Sequence, residues 1–404
     1  MVPNICSICQ TGARRTSCPA PRMARSSDPI SISPNQGWVP SRSDRAMADS
    51  RALPGMLTNA QISELLARAA EEEDSKSHRQ RALGRASRSA FFWPVEASSL
   101  VEGDRSLTEL PSVGPWLARI IGDWLDDPST EPFEPPPLRR GFLTLAEARG
   151  TIAGHPAWMN ELRADLQMHT TWSDGAAPLR EVVAEAEALW SYDFIAITDH
   201  SKGLKIARGM DEQQLAEQGE DIGRVNRELE ARGSHLRVLR SIEMNVSLEG
   251  MQDMDPKALA GLDLVLAAFH SNLRLTEDQT ERYLKALRNP TVHILAHPRG
   301  RVFNRRVGLT ADWPRVFETA VEQGKALEID AHPSRQDLDV ELLELARDSG
   351  VWISIGTDAH RLPELRHIEF GVALAIRAGF PRERILNYQP LEHLVRWVEE
   401  ARVA

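Results

Sequence analysis

The chain has 404 residues, 42% of them hydrophobic, enough for a barrel-sized core and a small appendage. Its formal net charge of −10 argues against a purely electrostatic nucleic-acid binder, while leaving room for a local basic groove. No apolar run approaches the roughly 20 residues of a membrane span. Cys6, Cys9 and Cys18 are its only cysteines, so no disulfide framework is expected and a cytoplasmic setting fits.

Residues 1–55 are rich in Ser, Pro and Arg and lack periodicity, as a disordered segment or a start codon assigned too early would. Met23, Met47 and Met56 are later candidate starts. Cys6 and Cys9 form a CxxC, but no second pair completes a zinc site. Residues 57–127 read as a helical domain. "LTNAQISELLARAAEEE" offers Thr58 or Asn59 as an N-cap and puts Ile62, Leu65, Leu66 and Ala69 on one face. "SLTELPSVGPWLARIIGDWL" predicts a short helix, a turn at Pro111–Gly114, and a helix with Leu117, Ile120, Ile121 and Leu125 inward. Residues 128–158 open with "PSTEPFEPPPLRR" and read as a proline-rich linker.

From 160 to 400 short apolar runs alternate with amphipathic helical stretches. The runs are "ADLQMHT", "FIAITDH", "VLRSIEMNV", "LVLAAFHS", "VHILAHP", "ALEIDAHP" and "WISIGTDAH". Seven strands separated by helices predict an α/β fold with a parallel sheet, and closure into a barrel removes its edges. The runs end in His169, His200, Glu243, His270, His297, His332 and His360, with Asp330 and Asp358 close by. In a parallel barrel such ends form one rim, where active sites are built.

Imidazoles mixed with carboxylates, without thiolates, suit Zn²⁺, Mn²⁺ or Fe²⁺ better than Ca²⁺ or Mg²⁺. The set exceeds one tetrahedral site, so two or three divalent metals are expected, with Glu243 as a bridge and activated water as the nucleophile. His332 falls at the edge of the set. His293, four residues before His297, reads as structural, and His78, His155, His235, His367 and His393 read as surface or helix residues. Asp199 and Asp330 are placed to orient neighbouring imidazoles. Arg299, Arg301, Arg305 and Arg306 in "HPRGRVFNRRVG", and more weakly Lys202, read as a clamp for substrate phosphate.

The motifs "DLQMHTTWSDG", "AITDHS", "IEMNV", "AAFHSN", "ILAHPRGR" and "GTDAH" together resemble the PHP (polymerase and histidinol phosphatase) domain over about residues 160–395. The resemblance implies a distorted seven-stranded β/α barrel with a trinuclear metal centre. It also implies metal roles for Gln167, His169, Asp174, His200, Glu243, His270, His297, Asp358 and His360. "TDHSKGLKIARGM" and "AHPRGRVFNRRVG" resemble the PHP domain of bacterial family X DNA polymerases. The N-terminal helices resemble that family's first domain, whose helix-hairpin-helix implies a DNA-phosphate contact at Ser112, Val113 and Gly114. Ser112 stands where Gly is usual. Only residues 128–158 separate the two regions, so a polymerase palm does not fit. Gln167 departs from the usual HxH. Its carbonyl oxygen is a weaker donor, so one metal is expected to bind more loosely, with a preference for Mn²⁺.

The function expected from these residues is metal-dependent phosphoester hydrolysis, acting on DNA as a 3′–5′ exonuclease or damaged-end processor. The alternatives are a phosphatase of a small phosphate monoester, like histidinol phosphatase, and a non-catalytic DNA-binding scaffold. The sequence carries no signal for oligomeric state.

Overall fold

The computed structural model describes residues 56–127 and 134–403. The CxxC and the rest of residues 1–55 lie outside the described residues.

The first helices are α1 (Asn59–Glu72), α2 (His78–Ala90), α3 (Ala97–Glu102) and α4 (Pro115–Asp126), with a single 3₁₀ turn at Leu107–Glu109. Thr58 caps α1 in a full capping box with Gln61. Ile62, Leu66, Leu83, Trp93, Leu117 and Ile121 share one core. Small residues let α1 and α2 approach closely. Ser63 Oγ donates to Ser87 O at 2.8 Å, and Ser87 Oγ returns a bond to Ser63 O at 2.9 Å. The turn before α4 puts Ser112 at φ 65°, a left-handed conformation that favours glycine. Gly114 is the N-cap of α4 and Pro115 its first residue.

The proline-rich linker is shorter than its composition suggests. Thr144 and Glu147 form a capping box that starts α5 (Leu145–Ala153), followed by α6 (Ala157–Asn160). Leu143, Ala148 and Ile152 belong to the main core. Residues 138–143 are clipped onto the main body: Asn304 donates its N–H to Leu138 O at 2.8 Å, and Gln336 brackets the Leu143 N–H and C=O, both at 2.8 Å.

The main body is α/β. Its strands are β1 (Ala164–Met168), β2 (Phe194–Ile197), β3 (Arg237–Arg240), β4 (Glu243–Asn245), β5 (Leu266–Ala268), β6 (Ile294–Leu295), β7 (Ala326–Asp330) and β8 (Trp352–Gly356). The helices between and after them are α7 (Leu179–Leu189), α8 (Glu212–Ala231), α9 (Pro256–Leu259), α10 (Thr280–Leu287), α11 (Trp313–Glu322), α12 (Val340–Ser349), α13 (Ile368–Arg377) and α14 (Leu391–Val403). All strand pairs are parallel, in two sheets ordered β1-β2-β3 and β4-β5-β6-β7-β8. The expected seven strands are therefore eight. The run "VLRSIEMNV" breaks between β3 and β4 at Ser241–Ile242, where the chain passes from one sheet to the other. The sheets meet at two places, through bridges Met168↔Ala359 and His200↔Glu243.

Alternation along the strands divides the core in two. Ala164, Leu166, Phe194, Ala196, Leu266 and Ala326 pack with Leu394 and Trp397 of α14. Ile195, Ile197, Leu327, Ile329, Ile353 and Ile355 pack outward with the helices. Glu328 and Asp330 therefore lie on the same side of β7 as Ala326. β1 slips register between Asp165 and Met168, and Met168 joins the outer cluster. That irregularity changes which side of the strand faces inward, just before His169.

Burial pushes the Glu96 carboxyl up to about 7, against the 2.7 Å bond it accepts from the Asn59 N–H. The folded state then keeps a proton that the unfolded chain sheds near its ordinary value of 4.5. The contribution to stability is full below 4.5 and is lost as pH rises through about 7. Glu96→Gln should flatten this dependence and raise the melting temperature at pH 8 relative to the parent, read by thermal denaturation across pH.

Candidate metal centre

Glu243, the first residue of β4, is fully buried and takes four imidazoles on its two oxygens. His297 Nε2 lies 2.7 Å and His270 Nε2 3.1 Å from Oε1. His200 Nδ1 lies 3.2 Å and His169 Nε2 3.3 Å from Oε2. His169 Nε2 also reaches Asp358 Oδ1 at 3.1 Å. Towards solvent, Asp174 Oδ1 stands 3.3 Å from His360 Nε2 and 3.5 Å from His200 Nε2. All of these but His297 fall in three overlapping groups whose donor atoms lie within 4.8 Å of one another: His169/Asp174/His200/His360, His200/Glu243/His270 and His169/Glu243/Asp358. All follow strand ends except Glu243, which begins its strand.

Two of these residues hold unusual backbone. His297 has φ 27° and Asp358 φ 50°. Such conformations persist where the surroundings over-determine them, and they concentrate at functional sites. Gln167 is fully buried, and neither atom of its amide has a hydrogen-bond partner. It lies beside Gly356, where a Cβ would fall 2.5 Å from Gln167 Cβ and 2.3 Å from Glu328 Oε1. Only glycine admits both side chains there.

The charges are mutually dependent. Burial would raise Glu243, but His200, His169 and His270 outweigh it and hold the carboxyl well below its usual range. Burial likewise opposes Asp358, which Arg335 and His169 keep ionised. Burial drives His200 down to about 3, so it is neutral with a free lone pair. Burial opposes the charged form of His169 and His360, but Asp358 and Glu243 lift the first well above its ordinary value and Asp174 and Asp358 raise the second; a divalent cation would take the place of those protons. The acid–imidazole clusters fit a multi-metal site.

Several positioning residues were invisible in the sequence. Arg335 Nε lies 3.3 Å from Asp330 Oδ2 and 3.2 Å from Asp358 Oδ2, with its side chain 27% exposed. Asp330 thus orients Arg335 and the His332 N–H, not a cluster imidazole. Asp199 also differs from expectation. Its carboxylate turns from His200 and accepts from Thr170 N and Oγ at 2.8 and 2.7 Å, from Ser173 N and Oγ, and from Gln218 Nε2 at 2.7 Å. It ties down the loop that carries Asp174. Asn245 Oδ1 stands 3.3 Å from His270 Nδ1, and Asn245 N donates to Ser201 Oγ at 2.8 Å. An adjacent Asn is a signal sequence reading could have used.

The arginine loop serves the fold more than the rim. Arg299 and Arg301 both reach Asp339 Oδ2 at 2.5 Å, and buried Arg301 donates to Arg140 O at 2.7 Å and stacks on Phe142. Arg306 donates to Gly300 O. Arg305 is exposed and without a side-chain partner among the described residues. Lys202 is exposed and paired with Glu212 at 2.6 Å. His332 stays outside the three groups, its Nδ1 3.0 Å from Ser334 Oγ and its ring edge-on to half-buried His367. His293 accepts from Val265 N at 3.0 Å inside the sheet, a structural contact as expected. His78, His155 and His235 are exposed, and His393 is half-buried on α14.

No protein-family model matches the chain. It is 38% identical over 235 residues to the DNA polymerase/3′-5′ exonuclease PolX of Bacillus subtilis (strain 168), a match covering 58% of this chain and 40% of that protein. The chain resembles a PHP-domain protein. It is also 33% identical over 163 residues to a probable phosphatase of Tolumonas auensis, a match covering 38% of this chain and 64% of the relative. The chain thus spans less than two thirds of these curated relatives. Among solved structures, the histidinol phosphate phosphatase of Lactococcus lactis, complexed with Zn, L-histidinol and phosphate, overlaps 55% of this chain and 95% of its own at 18% identity and a TM-score of 0.40. No described helix is long and apolar enough to cross a membrane.

Asp199→Ala should leave buried donors on Thr170 and Ser173 without an acceptor and destabilise the fold by about 2–4 kcal/mol. A urea denaturation midpoint checks this.

Proposed function

We propose that the chain is a metal-dependent phosphoester hydrolase acting on DNA, as a 3′–5′ exonuclease or damaged-end processor. The observation that carries it is the convergence of four imidazoles on buried Glu243, flanked by Asp358 and Asp174. In this reading His169, Asp174, His200, Glu243, His270, His297, Asp358 and His360 hold two or three divalent cations, of Zn, Mn or Fe type, and Gln167 lends a carbonyl oxygen. Cations so held supply charge for phosphoryl oxygens and lower the pKa of water. The two parallel sheets, joined at their seams, are read as one distorted barrel, and residues 107–126 as a helix-hairpin-helix at Ser112–Gly114.

The residues divide the work by depth. Glu243 and Asp358 lie at the buried end and fix the imidazoles. Asp174 and His360 are 34% and 28% exposed and face the side from which a substrate arrives. Arg335 is anchored by two carboxylates, with Nε 3.3 Å from Asp330 Oδ2 and 3.2 Å from Asp358 Oδ2, and its partly exposed guanidinium is placed to meet a phosphoryl oxygen at the rim. Among the four loop arginines, exposed Arg305 is the one left for a longer substrate.

DNA is favoured by the likeness to the 3′-5′ exonuclease PolX. A small phosphate monoester is the second reading, supported by the relative described as a probable phosphatase.

The test is digestion of a 5′-labelled DNA strand with Mn²⁺, read on a denaturing gel. A ladder of shortened products, absent with Asp174→Ala/His200→Ala, is expected; intact DNA beside turnover of a small phosphate monoester would replace this reading with the second. Glu243→Gln should reduce the divalent metal retained per chain, measured by elemental analysis. Arg335→Lys should keep the metal but lower kcat/KM by roughly 10²-fold.

A further inference from the structure

We propose that helix α2 is the docking surface for a phosphodiester backbone. His78, Arg81, Arg85 and Arg88 recur at helical spacing and share one face. The opposite face is Leu83, Ala86, Ser87 and Ala90, all buried. The four basic residues are exposed, and the helix contains no Asp or Glu. Among the described residues none of Arg79, Arg81, Arg85 and Arg88 forms an ion pair. Arg81 Nη2 stands 3.3 Å from another base, His78 Nδ1. Acidic residues outnumber Lys and Arg by 58 to 48 in this chain, so an arginine stripe without counter-charges stands out from its surroundings. Like charges four apart on a helix repel, and of the three stripe arginines Arg88 alone lies in the last turn, where the helix dipole favours a cation.

The stripe has a direction. Glu71, Glu72, Glu73 and Asp74 lie just before its amino end, so the positive field strengthens towards Arg85 and Arg88. That carboxyl end abuts the turn before α4. Ser89 Oγ and Trp93 Nε1 both donate to Pro111 O at 2.9 Å, and at the other end Arg79 lies over the Trp116 ring at 5.7 Å. Glu109, the acid nearest that turn, is tied to Arg105. The arginines rise by about 6 and about 4.5 Å along the axis, steps that long side chains bridge to successive phosphates. A backbone contact of this kind reads charge, not sequence.

The inference takes its partner from the DNA reading above but does not depend on cleavage. The test uses the full chain and a fluorescent single-stranded oligonucleotide with phosphorothioate links, which resist cutting, followed by anisotropy over a range of salt. Arg81→Ala/Arg85→Ala/Arg88→Ala should weaken binding by about 10-fold or more near 0.1 M salt and reduce the salt slope by about 2, with the triple Lys variant restoring both. Hydrolysis of bis(p-nitrophenyl) phosphate should be unchanged in the triple Ala variant. Equal affinity and slope in parent and triple Ala variant would overturn the proposal, as would a parent that binds no oligonucleotide. Binding that depends on the stripe, in a chain that leaves ordinary DNA intact, would support it while removing the exonuclease reading.

Discussion

Glu243, Asp358, Glu328 and Asp330 are all buried within one small region. Four carboxyls cannot share such a space as anions unless cations are built in among them. The chain answers in two ways. At Glu243 and Asp358 it supplies imidazoles and the Arg335 guanidinium, and both acids stay ionised. At Glu328 and Asp330 burial dominates and pushes both up, against the His297 N–H at the first and the Arg335 guanidinium at the second. The local architecture follows from keeping these two populations apart by a few ångströms.

That separation explains several irregularities. The slipped register in β1 turns its last residues so that Gln167 lies beside Glu328 while His169 reaches Glu243 and Asp358. Gly356 leaves room for the first pair. The left-handed backbones of His297 and Asp358 aim two more donors from strand ends that would otherwise point elsewhere. Asp199, by gathering five donors, holds the loop of Asp174 against the rim. Each irregularity costs stability locally and is retained where it sets a side chain of the cluster.

The strand runs and their terminal His and Asp residues were legible in the sequence because two simple periods place them: alternation within a strand and helices between strands. All of the strand-end imidazoles but His332 meet in space around Glu243, Asp174 and Asp358. What was not legible depended on long-range pairing. Nothing local says that Ser241–Ile242 divides one run between two sheets. Arg301 and Arg305 look alike in "RGRVFNRR", yet one is buried against Phe142 and the other is exposed. Arg335 lies two residues past the run "ALEIDAHP", beyond the strand end that was read for Asp330 and His332. The Pro-rich text up to Arg140 concealed the capping box at Thr144, which returns the chain to the main core. The basic face of α2 is a matter of helical phase that an overall charge of −10 hides.

The clip between residues 138–143 and the loop after β6 joins the helical N-terminal part to the same loop that follows His297. Asn304 and Arg301 on one side, with Phe91 and Phe142 each packed edge-on against Phe303, make this a strut and not a tether. On the reading proposed above, the grip on α2 and the metal centre would stand at a fixed separation and act as a ruler. A strand shorter than that distance would lose its grip before it was fully consumed, and the residual oligomer would have a length that is a dimension of the fold.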